Sequence, residues 1–151
     1  RWWMRFGRWY YPHATSLLLL CDSRGSNDYR RYLFKQHLQV LADRMRLEVR
    51  VAHYPPYTSK YNPIEHRLFP HVTRACAGVS FTDLETAVQL MRKTRTRTGL
   101  RVTLEVVKKY YATGQKYSPE FRAAMPLEFD DELPAWNYRA IPGAASDLIL
   151  N

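Results

Sequence analysis

The fold is decided by residues 16–52, which read SLLLLCDSRGSNDYRRYLFKQHLQVLADRMRLEVRVA. The stretch begins with a short continuous apolar run, Ser16–Cys21, that ends at Asp22. Periodicity alone does not separate a strand from a helix in so short a run, but its length and the following Gly25 favour a strand. Continuous apolarity is typical of a strand that is buried on both faces. The sequence therefore predicts a strand in the centre of a parallel sheet.

A helix and a second strand are predicted in the same stretch. Ser26 or Asn27 is a suitable N-cap, and apolar residues then recur at helical spacing to about Arg46. These apolar residues are Phe34, Leu38, Leu41 and Met45. Leu47–Ala52 alternates apolar and charged residues, which predicts a strand with one wet face near a sheet edge. The order strand, helix, strand indicates a βαβ unit with parallel strands and a right-handed crossover.

A second helix is predicted after a loop that contains two prolines. Asn62 and Pro63 are typical of the N-cap and the first position of a helix. Gly78 is typical of a helix end. The predicted buried face consists of Ile64, Leu68, Val72 and Ala75.

The remaining elements have weaker signals. Thr82–Glu85 has the pattern of a capping box, and it predicts a third helix whose buried face would consist of Leu84, Val88 and Met91. Residues 100–107 alternate as in a strand. Ser118 and Pro119 predict the start of a short helix that runs to about Met125.

The composition indicates a folded domain that binds a polyanion. Apolar residues make up 46% of the 151 residues, which argues against disorder. Lys and Arg number 23 against 14 Asp and Glu, a formal charge of +9. So basic a protein commonly binds DNA or RNA, although the alternative is a basic protein with no such partner. The longest apolar run, Leu17–Cys21, is too short to span a bilayer, so no membrane association is expected.

Cys21 and Cys76 are the only cysteines of the chain. Two thiols do not make a disulfide framework. Cys21 lies inside an apolar run, so we expect a reduced, buried thiol, which fits a cytoplasmic protein.

Two carboxylates are predicted to emerge at the same end of the sheet. Asp22 ends a predicted parallel strand, and Glu65 lies in the first turn of the helix after the next strand. Ligand sites of open α/β sheets lie at this edge, and carboxylates are ligands that Mg²⁺ prefers. Two alternatives stay open. Asp22 can simply begin a turn, and Glu65 stands where a capping-box Glu stands after Asn62.

Two segments of the chain resemble a known pattern. They are LCDSRGSN, residues 20–27, and HYPPYTSKYNPIEHRLF, residues 53–69. The Pro-Pro and Asn-Pro-Ile-Glu blocks of the second segment are similar to those of DDE transposases of bacterial insertion sequences. The fuller match resembles the Rhodopirellula transposase family. Thr98–Leu100, before a predicted strand, and Trp136–Tyr138 extend the resemblance over nearly the whole chain.

The resemblance implies an α/β fold of the RNase H-like, integrase and transposase type. In that fold the Asp22 strand is the fourth and the Leu47–Ala52 strand is the fifth, at a sheet edge. The implied fold is incomplete at its N-terminus and carries a C-terminal α+β extension. We therefore expect residues 1–98 to form the later part of the catalytic domain, with residues 99–151 as the extension packed on it.

The resemblance also implies the catalytic residues and the cofactor. Asp22 matches the second catalytic carboxylate and Glu65 the third, and both would be ligands of Mg²⁺ or Mn²⁺. The first catalytic Asp of the family lies on a strand upstream of Arg1. The two-metal site would be completed there, so we expect residues 1–151 alone to be inactive and to leave an edge of the Asp22 strand unpaired.

The implied function is that of a DNA transposase that performs metal-dependent DNA cleavage and strand transfer. Its partners would be the DNA of the element ends and of the target, and the active complex is expected to be a homo-oligomer. The implied location is the bacterial cytoplasm, with the nucleoid when DNA is bound. The alternative is a non-catalytic, DNA-binding remnant of a transposase.

Ten residues are candidates for DNA contact. They are Arg24, Asn27, Lys60, Asn62, His66, Arg67, Arg92, Lys93, Arg95 and Arg97. For the last four, a solvated basic run is the alternative; phosphate contact would make binding fall steeply with salt. Asn62 is more simply a helix cap, and His66 is equally well a structural hydrogen-bond partner.

Other features of the sequence leave a choice open or exclude one. Arg24 stands where the family is richer in glycine, and it would either crowd or grip a phosphate. His66 and His71 lie off a common helix face, which argues against a zinc site. The N-terminal Trp and Tyr residues are able to stack on bases, but we expect them to cover the sheet.

Overall fold

The computed structural model of the chain describes residues 1–144. The chain divides into two compact units. The first unit contains Arg1–Tyr57 and the described residues from Thr113 onward, and the second is Thr58–Ala112. Within the described residues no helix is both long and apolar enough to cross a membrane.

The first unit is built around a mixed four-stranded sheet. Its strands are β1, Ser16–Cys21, β2, Glu48–His53, β3, Glu128–Phe129, and β4, Asn137–Ala140. The order in the sheet is β1-β2-β4-β3. β1 and β2 are parallel, in register from Ser16 opposite Glu48 to Cys21 opposite His53, which confirms the predicted parallel pair. β4 runs antiparallel to both β2 and β3.

The predicted burial of β1 on both faces and the predicted edge position of β2 were wrong, whereas the unpaired edge expected for β1 is present among the described strands. Among the described strands β1 pairs only with β2, and one of its faces is open, since Leu18 is 58% exposed and Leu20 43%. β2 is instead an inner strand, because β4 pairs with its other edge. The wet face of β2 was predicted correctly: Glu48 forms ion pairs with Arg50 and with Arg139 of β4.

Helix α2, Tyr32–Met45, packs on the sheet. The core between them contains Leu38, Ala42, Val49, Val51, Leu127, Tyr138 and Ala140. The predicted cap was wrong: Gly25–Asn27 forms a 3-10 turn, and the helix begins after Arg31 without a side-chain cap. The predicted face was also partly wrong, since Leu41 is exposed whereas Lys35 and Gln39 are buried.

The buried polar side chains of α2 are explained by what packs against them. Gln39 Nε2 donates to the main-chain oxygen of Ile141 at 2.7 Å and to Asp43 Oδ1 at 3.1 Å. Lys35 Nζ lies 5.1 Å from the ring centroids of both Phe129 and Tyr138. The helix face is therefore set by the C-terminal segment, which is distant in sequence.

Two short helices lie near the ends of the first unit. The N-terminal segment is helical, with a π-helical turn at Trp3–Gly7 followed by α1, Arg8–Tyr10. Its aromatic residues do not cover the sheet as expected: Trp2 is 56% exposed and Trp9 73%. Near the other end, α6 is Pro119–Ala124, close to the predicted helix.

The helix predicted from Asn62 is two helices in the second unit. They are α3, Pro63–Arg67, and α4, Phe69–Cys76, with Leu68 between them. Pro70 accounts for the break, because proline has no N–H to donate to the preceding turn and its ring clashes with that turn's carbonyl. Gly78 follows α4 with a positive φ of 78°.

The third predicted helix is α5, Leu84–Arg92. Its N-cap is Asp83 rather than Thr82, and the Asp83 carboxylate accepts from the N–H of Thr86 at 2.7 Å. Val88 is buried as predicted, whereas Leu84 is 65% exposed. Residues 100–107 do not form the predicted strand. They contribute only an isolated bridge between Arg95 and Arg101.

Candidate functional site

Asp22 lies at the carboxyl end of β1, where two main-chain contacts fix its position. The oxygen of Cys21 accepts from the N–H of Tyr54 at 2.7 Å. The oxygen of Asp22 lies 3.1 Å from Nδ1 of His53, the last residue of β2. The Asp22 side chain is exposed, and its carboxylate forms no hydrogen bond or ion pair with another described residue. The carboxylate is therefore free to bind a ligand.

A buried pair of side chains, His53 and Tyr138, supports the main chain at Asp22. His53 Nε2 lies 2.7 Å from the Tyr138 hydroxyl. Burial lowers the pKa of His53 and raises the pKa of Tyr138. A neutral imidazole and a protonated phenol fix the direction of both bonds: the Tyr138 hydroxyl donates to Nε2, and Nδ1–H donates to the oxygen of Asp22. A neutral chain of hydrogen bonds thus links β4 to the residue that follows β1.

Neither His53 nor Tyr138 was predicted from the sequence. The signal for His53 is its phase in β2, where it shares the buried face with Val49 and Val51. The signal for Tyr138 is its place in the Trp136–Tyr138 block, which lies 85 positions from His53. Only the pairing of β2 with β4 brings the two side chains together.

The loop after Asp22 is held by several local contacts. The buried Ser23 hydroxyl donates to the main-chain oxygen of Tyr54. Burial raises the pKa of the Cys21 thiol, and a hydrogen bond with Asn27 opposes that shift. The guanidinium of Arg24 lies over the Tyr57 ring, 4.6 Å from its centroid. Asn27 and Arg24 are thus each engaged within the first unit.

Asp28 is a further carboxylate near this loop, and it is already paired. It accepts from Arg30 Nε at 3.1 Å and from Nη2 at 2.8 Å. It also accepts from the Arg30 N–H at 2.9 Å. These hydrogen bonds lower the pKa of Asp28 to about 2. Asp28 therefore acts as a structural residue of the turn before α2.

Glu65 lies in the first turn of α3 in the second unit. The Asn62 side chain caps this helix and accepts from the N–H of Ile64 at 3.2 Å, which confirms the predicted cap. Glu65 is half-buried, and its carboxylate makes no hydrogen bond to Asn62 or to any other described residue. Glu65 therefore does not form the capping-box hydrogen bond that the sequence left open.

Two of the candidate residues around Glu65 make contacts within the second unit. His66 Nε2 contacts the main-chain oxygen of Lys60, as the structural alternative for His66 expects. Lys60 Nζ lies 5.1 Å from the Tyr61 ring centroid. Arg67 is exposed.

The donor chemistry of the two candidate carboxylates fits a divalent metal. Asp22 belongs to the first unit and Glu65 to the second. Carboxylate oxygens are ligands that Mg²⁺ binds, usually together with several waters. Among the residues that the structure describes, no group of three or more His, Cys, Asp or Glu side chains forms a metal site.

The basic run that begins at the end of α5 contains two kinds of side chain, which differ in their contacts. The guanidinium of Arg92 donates to the main-chain oxygen of Leu104 at 3.1 and 3.3 Å. Lys93, Arg95 and Arg97 instead line a pocket of about 500 Å³. The Arg92 guanidinium is therefore already hydrogen-bonded within the second unit, whereas the side chains of Lys93, Arg95 and Arg97 are available to a ligand.

A family match covers most of the chain. The model of the family described as Rhodopirellula transposase DDE domain matches residues 1–142. That range contains residues 20–27, residues 53–69 and Trp136–Tyr138, the segments on which the resemblance rests. No curated protein and no solved structure matches the chain. DDE transposases are polynucleotidyl transferases that act on DNA. This chain belongs to the family described as Rhodopirellula transposase DDE domain.

Proposed function

We propose that this chain carries two metal-binding carboxylates, Asp22 and Glu65, of a transposase that cuts and joins DNA. The observation that carries the proposal is the state of Asp22. It is an exposed, unpaired carboxylate at the carboxyl end of a parallel strand, and its main chain is fixed by His53 and Tyr54. Ligand-binding sites of open α/β sheets lie at the carboxyl ends of the strands.

The surroundings of Glu65 support its role as the second ligand. The Asn62 cap and the main chain of α3 leave the Glu65 carboxylate without an internal partner. The carboxylate is therefore available to a cation.

We propose an RNase H-like fold for the first unit on the basis of its parallel β1–β2 pair with α2 between them. The sheet places Asp22 at its carboxyl edge through β1. The formal charge of +9 supports a DNA partner.

The proposed reaction is hydrolysis of one DNA phosphodiester followed by transesterification at another. Water adds to phosphorus at an element end and the 3′-oxygen leaves; the freed 3′-hydroxyl then adds to a phosphorus of target DNA and displaces the 3′-oxygen of that strand. When bound, Mg²⁺ supplies Lewis acidity to the attacking and the leaving oxygens. Asp22 and Glu65 would hold it, and the His53–Tyr138 pair would keep the main chain of Asp22 in place.

The test is DNA cleavage by the transposase that carries this chain, with Mg²⁺ or Mn²⁺ and a duplex that contains the element ends. Asp22→Asn and Glu65→Gln are each expected to lower the cleavage rate by about 100-fold or more, because metal catalysis contributes several kcal/mol. Glu85→Gln is the matched control, since Glu85 also lies in the first turn of a helix of the second unit. Full cleavage by Asp22→Asn would contradict the proposal, and DNA binding without cleavage by the unaltered protein would favour the non-catalytic alternative.

A further inference from the structure

A basic pocket lies wholly within the second unit, and neither candidate carboxylate lines it. It is lined by His71, Arg74 and Ala75 of α4 and by residues 93–98, and its volume is about 500 Å³. We call it the Thr94 pocket after its most buried polar residue. Arg74 and His71 were not among the sequence candidates, and the fold of α4 brings them to the basic run.

The charge of the Thr94 pocket is positive and uncompensated. Arg74, Lys93, Arg95 and Arg97 line it, and no Asp or Glu does. All four cations are exposed, and none forms an ion pair with a carboxylate of the described residues. Four cations around one concavity attract an anion of high charge density.

Thr94 gives the pocket a buried hydrogen-bonding group without a partner. The residue is 3% exposed, and its Oγ1 has no hydrogen-bond partner among the described residues. Its main chain is satisfied, because its N–H donates to Met91 and its oxygen accepts from Val102. Thr94 is one of the residues that line the pocket. Because buried polar groups are nearly always paired, an acceptor on a bound ligand would satisfy its hydroxyl.

The wall of the pocket is an organised turn rather than an open loop. The N–H of Thr96 donates to the oxygen of Leu100 at 3.0 Å, and Thr96 Oγ1 accepts from the N–H of Leu100 at 3.1 Å. Arg95 and Arg101 form a β-bridge, and Gly99 adopts the positive φ of 102° that closes the turn. The pocket is therefore preorganised for a ligand.

We propose that the Thr94 pocket binds a phosphate group, with the basic side chains as charge partners and the Thr94 hydroxyl as a hydrogen-bond donor. Arginine and lysine with a hydroxyl donor match the three acceptor oxygens and the charge of a phosphate. The source is either a phosphodiester of DNA or free phosphate. Only the DNA source rests on the proposed function; the site itself does not need Asp22 or Glu65.

The first arm of the test is binding of inorganic phosphate to the full chain, measured by calorimetry. Thr94→Val is expected to weaken binding about tenfold, the effect of one hydrogen bond to a charged group. It is expected to leave the melting temperature unchanged or higher, because valine has a similar shape and removes an unpaired hydroxyl. Thr94→Ser keeps the hydroxyl and is expected to keep the affinity. Thr73→Val, on the exposed side of α4, is the matched control.

The second arm is binding of a DNA duplex as a function of salt. Arg74→Gln is expected to reduce the slope of log affinity against log salt by about one, since one phosphate contact is lost. Thr94→Val weakens affinity without a change of slope, because the hydroxyl carries no charge. Lys108→Gln, at an exposed position outside the pocket, is the control for a lost charge.

The outcomes separate the sources and the two proposals. Effects on both probes, or on DNA alone, identify a DNA phosphodiester; effects on inorganic phosphate alone identify free phosphate. Equal affinity of Thr94→Val and the unaltered chain for both probes would overturn the phosphate site. Asp22→Asn is expected to keep phosphate binding, so a loss of cleavage and a loss of this site are distinguishable.

Discussion

The two units of the chain carry one candidate carboxylate each, and they differ in how that residue is held. The first unit has a buried core of seven hydrophobic residues between α2 and the sheet, and Phe121 of α6 is also fully buried. In the second unit Val88 is the one hydrophobic residue in the described core, while Phe81 and Leu84 are more than half exposed. Asp22 therefore follows a strand of the sheet in the unit with the larger core, although β1 itself has no buried residue, whereas Glu65 lies on a short helix in the unit with the smaller core.

This difference indicates two kinds of positioning. The main chain at Asp22 is fixed by sheet pairing and by the buried His53–Tyr138 pair. The position of Glu65 depends on local hydrogen bonds, chiefly the Asn62 cap, each of which contributes about 1 kcal/mol. We expect the first unit to be the more stable one.

The largest expected effect comes from truncation of the core. Phe121→Ala removes a fully buried ring from the first unit and is expected to cost about 3–5 kcal/mol of unfolding free energy. Val88→Ala is the counterpart in the second unit and is expected to cost about 1–2 kcal/mol, because it removes less buried surface. Hydrogen exchange combined with urea unfolding measures both. Equal costs would mean that the second unit has a core comparable to that of the first.

The next effect is the pH dependence that His53 gives to the first unit. The pKa of His53 is lowered chiefly by burial. At pH values just below the ordinary pKa of histidine, the unfolded chain therefore binds a proton at His53 whereas the folded chain does not. Stability is therefore expected to fall as the pH falls from about 7 toward 5. His53→Gln is expected to flatten that part of the stability profile, whereas His13→Gln, an exposed histidine of the same unit, is expected to keep it. An unchanged profile in His53→Gln would contradict the buried neutral imidazole.

The smallest effect compares two helix caps. Ser118 caps α6 of the first unit and Asn62 caps α3 of the second, so Ser118→Ala and Asn62→Ala are each expected to cost about 1 kcal/mol. The difference lies in the local response, because α6 is anchored by Phe121 and α3 has no buried residue. Amide exchange at Ile64 is expected to accelerate more than exchange at Phe121. The reverse order would argue against local positioning of Glu65.

The sequence predicts those parts of the fold whose signals are local. β1, α2 and β2 lie close to their predicted residues, because an apolar run and a helical repeat are properties of neighbouring residues. β4 has only four residues, and its pairing with β2 spans about 90 positions. The order of the strands in the sheet could therefore not be predicted from the sequence. The burial of Lys35 and Gln39 could not be predicted either, because it depends on the same distant segment. Residues 100–107 alternate without a partner strand and therefore form none.

The candidate site shows the same division. Asp22 and Glu65 were found because each lies in a specific local motif. His53, Tyr138 and Arg74 were missed, because their contacts join segments that are distant in sequence. Thr94 was missed because a lone threonine in a basic run carries no signal until its burial is known.

The central proposal is that Asp22 and Glu65 are both ligands of one two-metal site, and localised oxidative cleavage tests it most directly. Fe²⁺ is added to the full-length protein in place of Mg²⁺, and peroxide with ascorbate then cuts the backbone near the bound iron. We predict cuts near both residue 22 and residue 65, which Mg²⁺ suppresses by competition and which Asp22→Asn abolishes together. Cuts near only one of the two residues, or cuts that persist in Asp22→Asn, would contradict a shared site.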